Sequence, residues 1–217
     1  MTDNPQYETP TWNQIYDMLL CQAQKIQTTP YKPNIIVGIA RGGLVPSRIL
    51  ADLIDVHPFA TIQTEFYTDI AKTKQTPTIK HALTTPIKNK KVLLVDDVTD
   101  TGKTQKLIQT YLQTQGATEI KTAVLYHKPQ SIFTPDFYEK QTSNWIIFPW
   151  DTKETLKKIL QQTDKQQTKK EIVKIEKAGL PKQLIKKLLK DMPQEHPSCS
   201  TTSKNTTDMP KSQATKA

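Results

Sequence analysis

The stretch from Lys91 to Gln105, KVLLVDDVTDTGKTQ, constrains the fold more than any other. Four apolar residues, Val92 to Val95, run straight into two adjacent carboxylates, Asp96 and Asp97. A short continuous apolar run reads as a strand buried on both faces, the habit of a parallel sheet. A third acid, Asp100, precedes Thr101-Gly102-Lys103-Thr104, and a helical pattern follows to Gly116. The acids therefore stand at the carboxyl end of a strand, where open parallel sheets bind their ligands. Neighbouring strand residues point to opposite sides, so Asp96 and Asp97 cannot both contact one atom. Between them they suit a vicinal diol and a hydrated Mg²⁺, each acid in a different role. The free N–H groups of the helix start, two threonine hydroxyls and the helix dipole suit an anion. A diol site and a phosphate site a few residues apart describe a ribose 5-phosphate.

Two other phosphate motifs do not match. A Walker A loop needs glycine five positions before Gly102, where this chain has Asp97, and the dinucleotide pattern fails because GIARGG has its glycines at Gly38, Gly42 and Gly43.

The rest of the chain supports a strand–helix alternation, with no internal repeat. TWNQIYDMLLCQAQKI has apolar residues at helical spacing, and NIIVGIA reads as a second buried strand. GLVPSRILADLI reads as a helix with Pro46 in its first turn. HPFATIQTEFY, EIKTAVLYHK and NWIIFPW read as further strands, and TDIAKTKQTPTIKHALTTP, which has no clear period, as a mobile loop. This pattern predicts an α/β fold with a doubly wound parallel sheet over residues 1–152. Residues 153–192 predict a helical extension: helix, helix, a Gly179-Leu180-Pro181 break, then a third helix, packed on the domain or on a partner subunit. Residues 193–217, almost without apolar side chains, predict a disordered tail.

Charge bears on partners. The formal net charge is +9, but residues 1–152 hold 15 Lys+Arg against 14 Asp+Glu, whereas residues 153–217 hold 15 against 7. The basic excess belongs to the C-terminal region and reads as a solvated lysine-rich face plus a loose tail, so nucleic acid is not the expected partner. No run approaches the ~18 apolar residues of a membrane span, and the polar, acidic start MTDNPQYETP does not read as a signal peptide. Two cysteines, Cys21 and Cys199, imply no disulfide framework and fit a reducing, cytoplasmic setting. His57, His81 and His127 show no metal spacing and read as non-catalytic.

VLLVDDVTDTGKT closely resembles the phosphoribosyl pyrophosphate (PRPP) motif of the type I phosphoribosyltransferases. VGIARGGLVPSRILADLI resembles the pyrophosphate-loop strand and helix of the xanthine–guanine–hypoxanthine branch. YHKP, followed by NWIIFPWD, is similar to that branch's purine pocket. These matches cover roughly residues 35–152, in order; the C-terminal helices have no counterpart.

The resemblance implies an Mg²⁺-dependent enzyme of purine salvage that moves ribose 5-phosphate from PRPP to N9 of a 6-oxopurine, in a homo-oligomer (dimer or tetramer). It implies that Asp96 and Asp97 bind the ribose hydroxyls, with Asp97 nearest the metal. PRPP would be held by Arg41 and Gly42 at the pyrophosphate, and by Asp96, Asp97, Val98, Thr99, Asp100, Thr101, Gly102, Lys103 and Thr104. Asp100 would be the catalytic residue beside purine N7. Lys128 would donate to O6, Trp145 would stack on the base, and Ile146 and Asp151 would meet the C2 substituent. Trp150 reads as packing. Related enzymes carry a basic residue in the mobile loop; loop 68–80 offers no arginine, and Lys72 or Lys74 would take that role as a point charge. The resemblance also implies a strained, even cis, Ala40–Arg41 peptide. The rival reading is a non-catalytic PRPP-sensing regulator whose basic C-terminal helices, KAGLPKQLIKKLLKD, bind nucleic acid.

Overall fold

The structure, a computed structural model, describes residues 7–67 and 76–191. Its centre is a six-stranded sheet. In chain order the strands are β2 (Ile35–Ala40), β3 (Phe59–Tyr67), β4 (Thr76–His81), β5 (Lys91–Thr99), β6 (Glu119–His127) and β7 (Phe137–Gln141). Across the sheet they run β4-β3-β2-β5-β6-β7, all parallel except β4, which is antiparallel to β3. The doubly wound parallel sheet expected from the sequence is thus the fold observed.

Alternation along the strands makes two cores. Ile36, Leu93, Val95, Ala123 and Leu125 face α1 (Trp12–Thr28) and α2 (Leu44–Leu53). Ile35, Val37, Val92 and Leu94 face Ile108 and Leu112 of α3 (Lys103–Thr114). Each strand of this central pair buries both faces, which is why neither shows polar–apolar alternation in sequence. Helix α1 starts at a capping box: the Thr11 hydroxyl accepts from the Gln14 N–H, and the Gln14 side chain accepts from the Thr11 N–H.

From β2 the chain winds outward through α2 to β3, and from β5 it winds the other way through α3 to β6. The switch point lies between β2 and β5, so the turns that leave their carboxyl ends face one crevice.

Two edge strands differ from expectation. The segment read as a mobile loop contains β4, whose pairing with β3 includes a Lys80–Glu65 ion pair at 2.8 Å. An exposed edge strand with Pro77 in it carries little apolar signal, since one face meets water and one edge needs no partner. Strand β7 was not anticipated, for the same reason. Residues 68–75, with Lys72 and Lys74, lie outside the described residues.

The helices expected after residue 152 are α4 (Thr152–Gln162), α5 (Lys165–Lys177) and α6 (Lys182–Lys190). The tail expected over 193–217 lies outside the described residues. The helices form a third core, in which Leu156, Ile175, Leu180 and Ile185 surround Ile147 and meet Tyr7. Tyr7 belongs to β1 (Tyr7–Glu8), a two-residue strand parallel to β8 (Trp145–Ile146). NWIIFPW is therefore a strand for only two residues. The Tyr7 hydroxyl donates to Glu171 at 2.7 Å, and Thr9 Oγ1 donates to the Ala178 carbonyl at 2.7 Å. No helix among the described residues is long and apolar enough to cross a membrane.

Candidate active site

Strand β5 carries Asp96 and Asp97 at its carboxyl end, and the chain then turns through Asp100 and Thr101 into α3. Gly102 turns that corner with φ +77°, a left-handed conformation that costs a side chain-bearing residue energy. A Cβ there would lie 2.5 Å from Ser131 Oγ and 2.7 Å from Phe133, so space as well as torsion selects glycine. The Thr101 carbonyl accepts from the Ile132 N–H and the Thr99 carbonyl from the Lys128 N–H, which ties the turn to the segment after β6.

A cavity of about 620 Å³ opens over this turn. Gly42, Asp96, Asp97, Val98, Asp100, Thr101, Gly102, Lys103 and Thr104 all line it, as do Phe66 and Gln105. A second cavity of about 370 Å³ is lined by Arg41, Gly42, Asp97, Trp145, Trp150, Asp151, Glu154 and Lys158. Gly42 and Asp97 belong to both. They touch so closely that a Cβ on Gly42 would collide with the Asp97 carboxylate. The peptide Ala40–Arg41 is cis.

The two adjacent acids face different neighbours, as their alternation requires. Asp96 Oδ2 accepts from Gln105 Nε2 at 2.9 Å, and Asp96 Oδ1 accepts from the Asp97 N–H at 3.0 Å. Asp97 Oδ2 accepts from Trp150 Nε1 at 3.3 Å. Burial pushes the Asp97 carboxyl up to about 6. Burial, and then the charge of Asp97, holds Asp96 well above the ordinary carboxylate range. Asp151 is pushed up to about 7, first by burial and then by Asp97, and its Oδ1 is buried with no partner among the described residues. Asp97 and Asp151, pushed up to about 6 and 7, and Asp96, raised beside them, gather three carboxyls around one crevice and mark a site where a cation or a hydrogen-bonding ligand belongs.

Other expected residues sit apart. Asp100 is exposed, and its Oδ1 accepts from Gln130 Nε2 at 3.1 Å. Lys128 is buried and lines neither cavity; its Nζ donates to the Asn144 carbonyl, and desolvation lowers its pKa. Thr99 is fully buried behind the turn and does not reach the cavity. Trp145 is 51% exposed, an open indole face at the rim of the smaller cavity. Ile146 is buried beside it, and β1 pairs with it in parallel register.

Three contacts escaped the sequence reading. Trp150 is packing, stacked on Phe148 at 4.8 Å, but it also holds Asp97. Glu154 bridges two cations, Arg41 at 2.5 Å and Lys158 at 2.9 Å, and so brings the helical extension to the loop after β2. Gln105 holds Asp96. The position of Gln105 three residues into a helix that begins at the motif was a usable signal; the other two contacts depend on tertiary folding.

A family model for the phosphoribosyl transferase domain matches residues 12–155. The xanthine-guanine phosphoribosyltransferase of Nitratidesulfovibrio vulgaris (strain DP4) is 33% identical over 145 residues, which is 65% of this chain and 83% of that protein. The xanthine-guanine phosphoribosyltransferase of Gluconobacter oxydans is 30% identical over 150 residues, 67% of this chain and 85% of its own length. Among solved structures, a purine phosphoribosyltransferase from Pyrococcus horikoshii superposes with a TM-score of 0.60 at 37% identity, covering 66% of this chain and 93% of that one.

Proposed function

The chain belongs to the phosphoribosyl transferase domain family, and from that premise we propose that it transfers ribose 5-phosphate from PRPP to N9 of a 6-oxopurine in purine salvage, releasing pyrophosphate. The observation that carries this reading is the pair of joined cavities with Asp97 on their shared wall. One cavity has the anion-binding turn and the other has the aromatic rim, so two substrates can meet beside one carboxylate.

In this reading the 5-phosphate lies on the turn from Asp100 to Thr104, where N–H groups at the start of α3 are free of intrahelical partners. Asp96 and Asp97 take the ribose hydroxyls. Arg41 and the close-packed Gly42 take the pyrophosphate. Trp145 offers a stacking face to the purine. The backbone at Ile146 and the unpartnered Asp151 meet its C2 substituent, and Lys128 turns from Asn144 to O6. Asp100 leaves Gln130 and accepts the N7 proton as N9 attacks C1, so that the nucleotide base ends neutral. The bond from C1 to the pyrophosphate oxygen breaks as the bond to N9 forms, so catalysis is chiefly positioning and stabilisation of charge.

Donor chemistry fits magnesium. Mg²⁺ takes oxygen ligands, keeps several waters, and is commonly held by one or two carboxylates together with substrate phosphates. Asp97 is such a carboxylate, and among the described residues no cluster of three or more His, Cys, Asp or Glu side chains offers an all-protein cage. Mg²⁺ bound at Asp97 would neutralise the departing pyrophosphate.

Initial rates with PRPP and, in turn, hypoxanthine, guanine, xanthine, adenine and orotate test the reading. Turnover of at least one 6-oxopurine, with adenine and orotate inert, is expected. PRPP binding without turnover of any base would favour the sensor reading instead. The exposed lysines of α5 and α6 make that the rival to test, by adding nucleic acid at stated salt.

A further inference from the structure

Gln105 is 3% exposed, sits in the first turn of α3, and turns its amide back toward the end of β5. Its Nε2 donates to Asp96 Oδ2 at 2.9 Å and also lies 3.3 Å from the Val98 carbonyl. The other Asp96 oxygen is held by the Asp97 N–H at 3.0 Å. The carboxylate is therefore fixed at both oxygens. A carboxylate oxygen has two acceptor directions, so each still has one to offer.

We propose that Gln105 is a positioning residue that sets Asp96 to receive the ribose hydroxyls, and so determines discrimination for a ribose over a deoxyribose phosphate. The inference rests on the ribose-binding reading of Asp96 given above. Without Gln105 the buried carboxylate keeps one tether and can rotate about its side-chain bonds. The 5-phosphate does not depend on it, because the turn that would hold it is built from Gly102, packed against Ser131 and Phe133, and from Thr101, whose carbonyl accepts from the Ile132 N–H. Loss of Gln105 should thus weaken recognition of the sugar and leave recognition of the phosphate intact.

The test is calorimetric binding of ribose 5-phosphate and 2-deoxyribose 5-phosphate to the full chain and to Gln105→Met, which keeps length and removes the donor. Gln105→Leu, of similar size and without a donor, serves as the second variant should Gln105→Met fold poorly. In the wild type, ribose 5-phosphate is expected to bind more tightly. In Gln105→Met it should weaken by about tenfold, the scale of one hydrogen bond to a charged group, while 2-deoxyribose 5-phosphate stays within about twofold. The KM for PRPP should rise more than kcat falls. Equal weakening of both sugars would show a merely structural role and overturn the inference, as would no change in either. A wild type that does not distinguish the two sugars would instead overturn the diol reading of Asp96 itself.

Discussion

Asp100 ends the strand–turn junction with its carboxylate in solvent, near enough to Lys128 for the two charges to interact. In the proposed reading Asp100 meets the base with its side chain while its backbone belongs to the phosphate turn. Asp100→Asn should lower kcat by about 10²-fold or more while PRPP affinity changes little, the mark of general acid–base work; an unchanged kcat would remove Asp100 from that role. The buried acids make a second prediction, about pH. Asp97 and Asp151 have folded-state values of about 6 and 7, above the ordinary 3.8. Between 3.8 and those values the folded chain binds more protons than the unfolded one, so stability falls as pH rises through that range. Glu154, held low first by its hydrogen bond to Lys158, acts in the opposite sense, but only below about pH 4.5. The ligand-free protein should therefore melt higher at pH 5.5 than at pH 8, by roughly 3–6 °C if ~1–2 kcal/mol is involved. Asp151→Asn should flatten the dependence and raise the melting temperature at pH 8. Equal or higher stability of the wild type at pH 8 would refute the account.

Helix α4 joins the loop after β2 through one side chain. The Arg41 and Glu154 side chains are 74% and 40% exposed, so their ion pair belongs to the weak surface class of about 0–1 kcal/mol. A pairing of that strength parks Arg41 beside the cavity without trapping it. Glu154 keeps Lys158 as partner when Arg41 leaves. Glu154→Gln should therefore tighten product inhibition by pyrophosphate by about 2- to 5-fold; weaker inhibition would mean that Glu154 presents Arg41 instead of competing for it. This is also the scale at which the sequence was most uneven. Strands β2 and β5 were legible because burial on both faces leaves an unbroken apolar run. The acids and TGKT were legible because their order along the chain is their order around the turn. Strands β4 and β7 were not, since edge strands with one wet face carry little pattern, and β1 is too short to carry any. The tether from Trp150 to Asp97 joins residues far apart in sequence, and no local pattern announces it.

At the scale of the whole molecule, the extension packs its own core onto Ile147 and Tyr7 of the preceding chain. Ile147, one residue beyond β8, is buried among Leu156, Ile175, Leu180 and Ile185. Cutting the chain after Thr152 strips those partners away, and Glu171 with them, leaving Tyr7 and Ile147 against water. That truncation should lower solubility or melting temperature markedly, because it exposes a contiguous apolar patch. A cut after Met192 spares every helix of this core and should change neither stability nor activity. Full-length behaviour after both cuts would show that the extension contributes nothing to the domain. The lysine content of α4, α5 and α6 leaves this argument untouched, because all of those lysines but the half-buried Lys174 face solvent while the apolar stripes face inward.

The short strand β1 carries a consequence for how the protein is made. Tyr7 and Glu8 pair with Trp145 and Ile146, and Tyr7 and Thr9 bond Glu171 and Ala178, across separations of 164 and 169 residues. Contacts so distant in sequence form late, because a long loop must close before any of them is rewarded. During vectorial synthesis, β2, β5 and α3 emerge with their partners close behind, whereas Tyr7 and Thr9 wait for residues made 164 and 169 positions later. A nascent chain stalled before Trp145 would hold its phosphate turn and lack the wall beside which the base is to lie. In the order of biosynthesis, the half of the crevice assigned to the sugar phosphate comes first, and the half assigned to the purine is completed only when β1 meets β8 and α5.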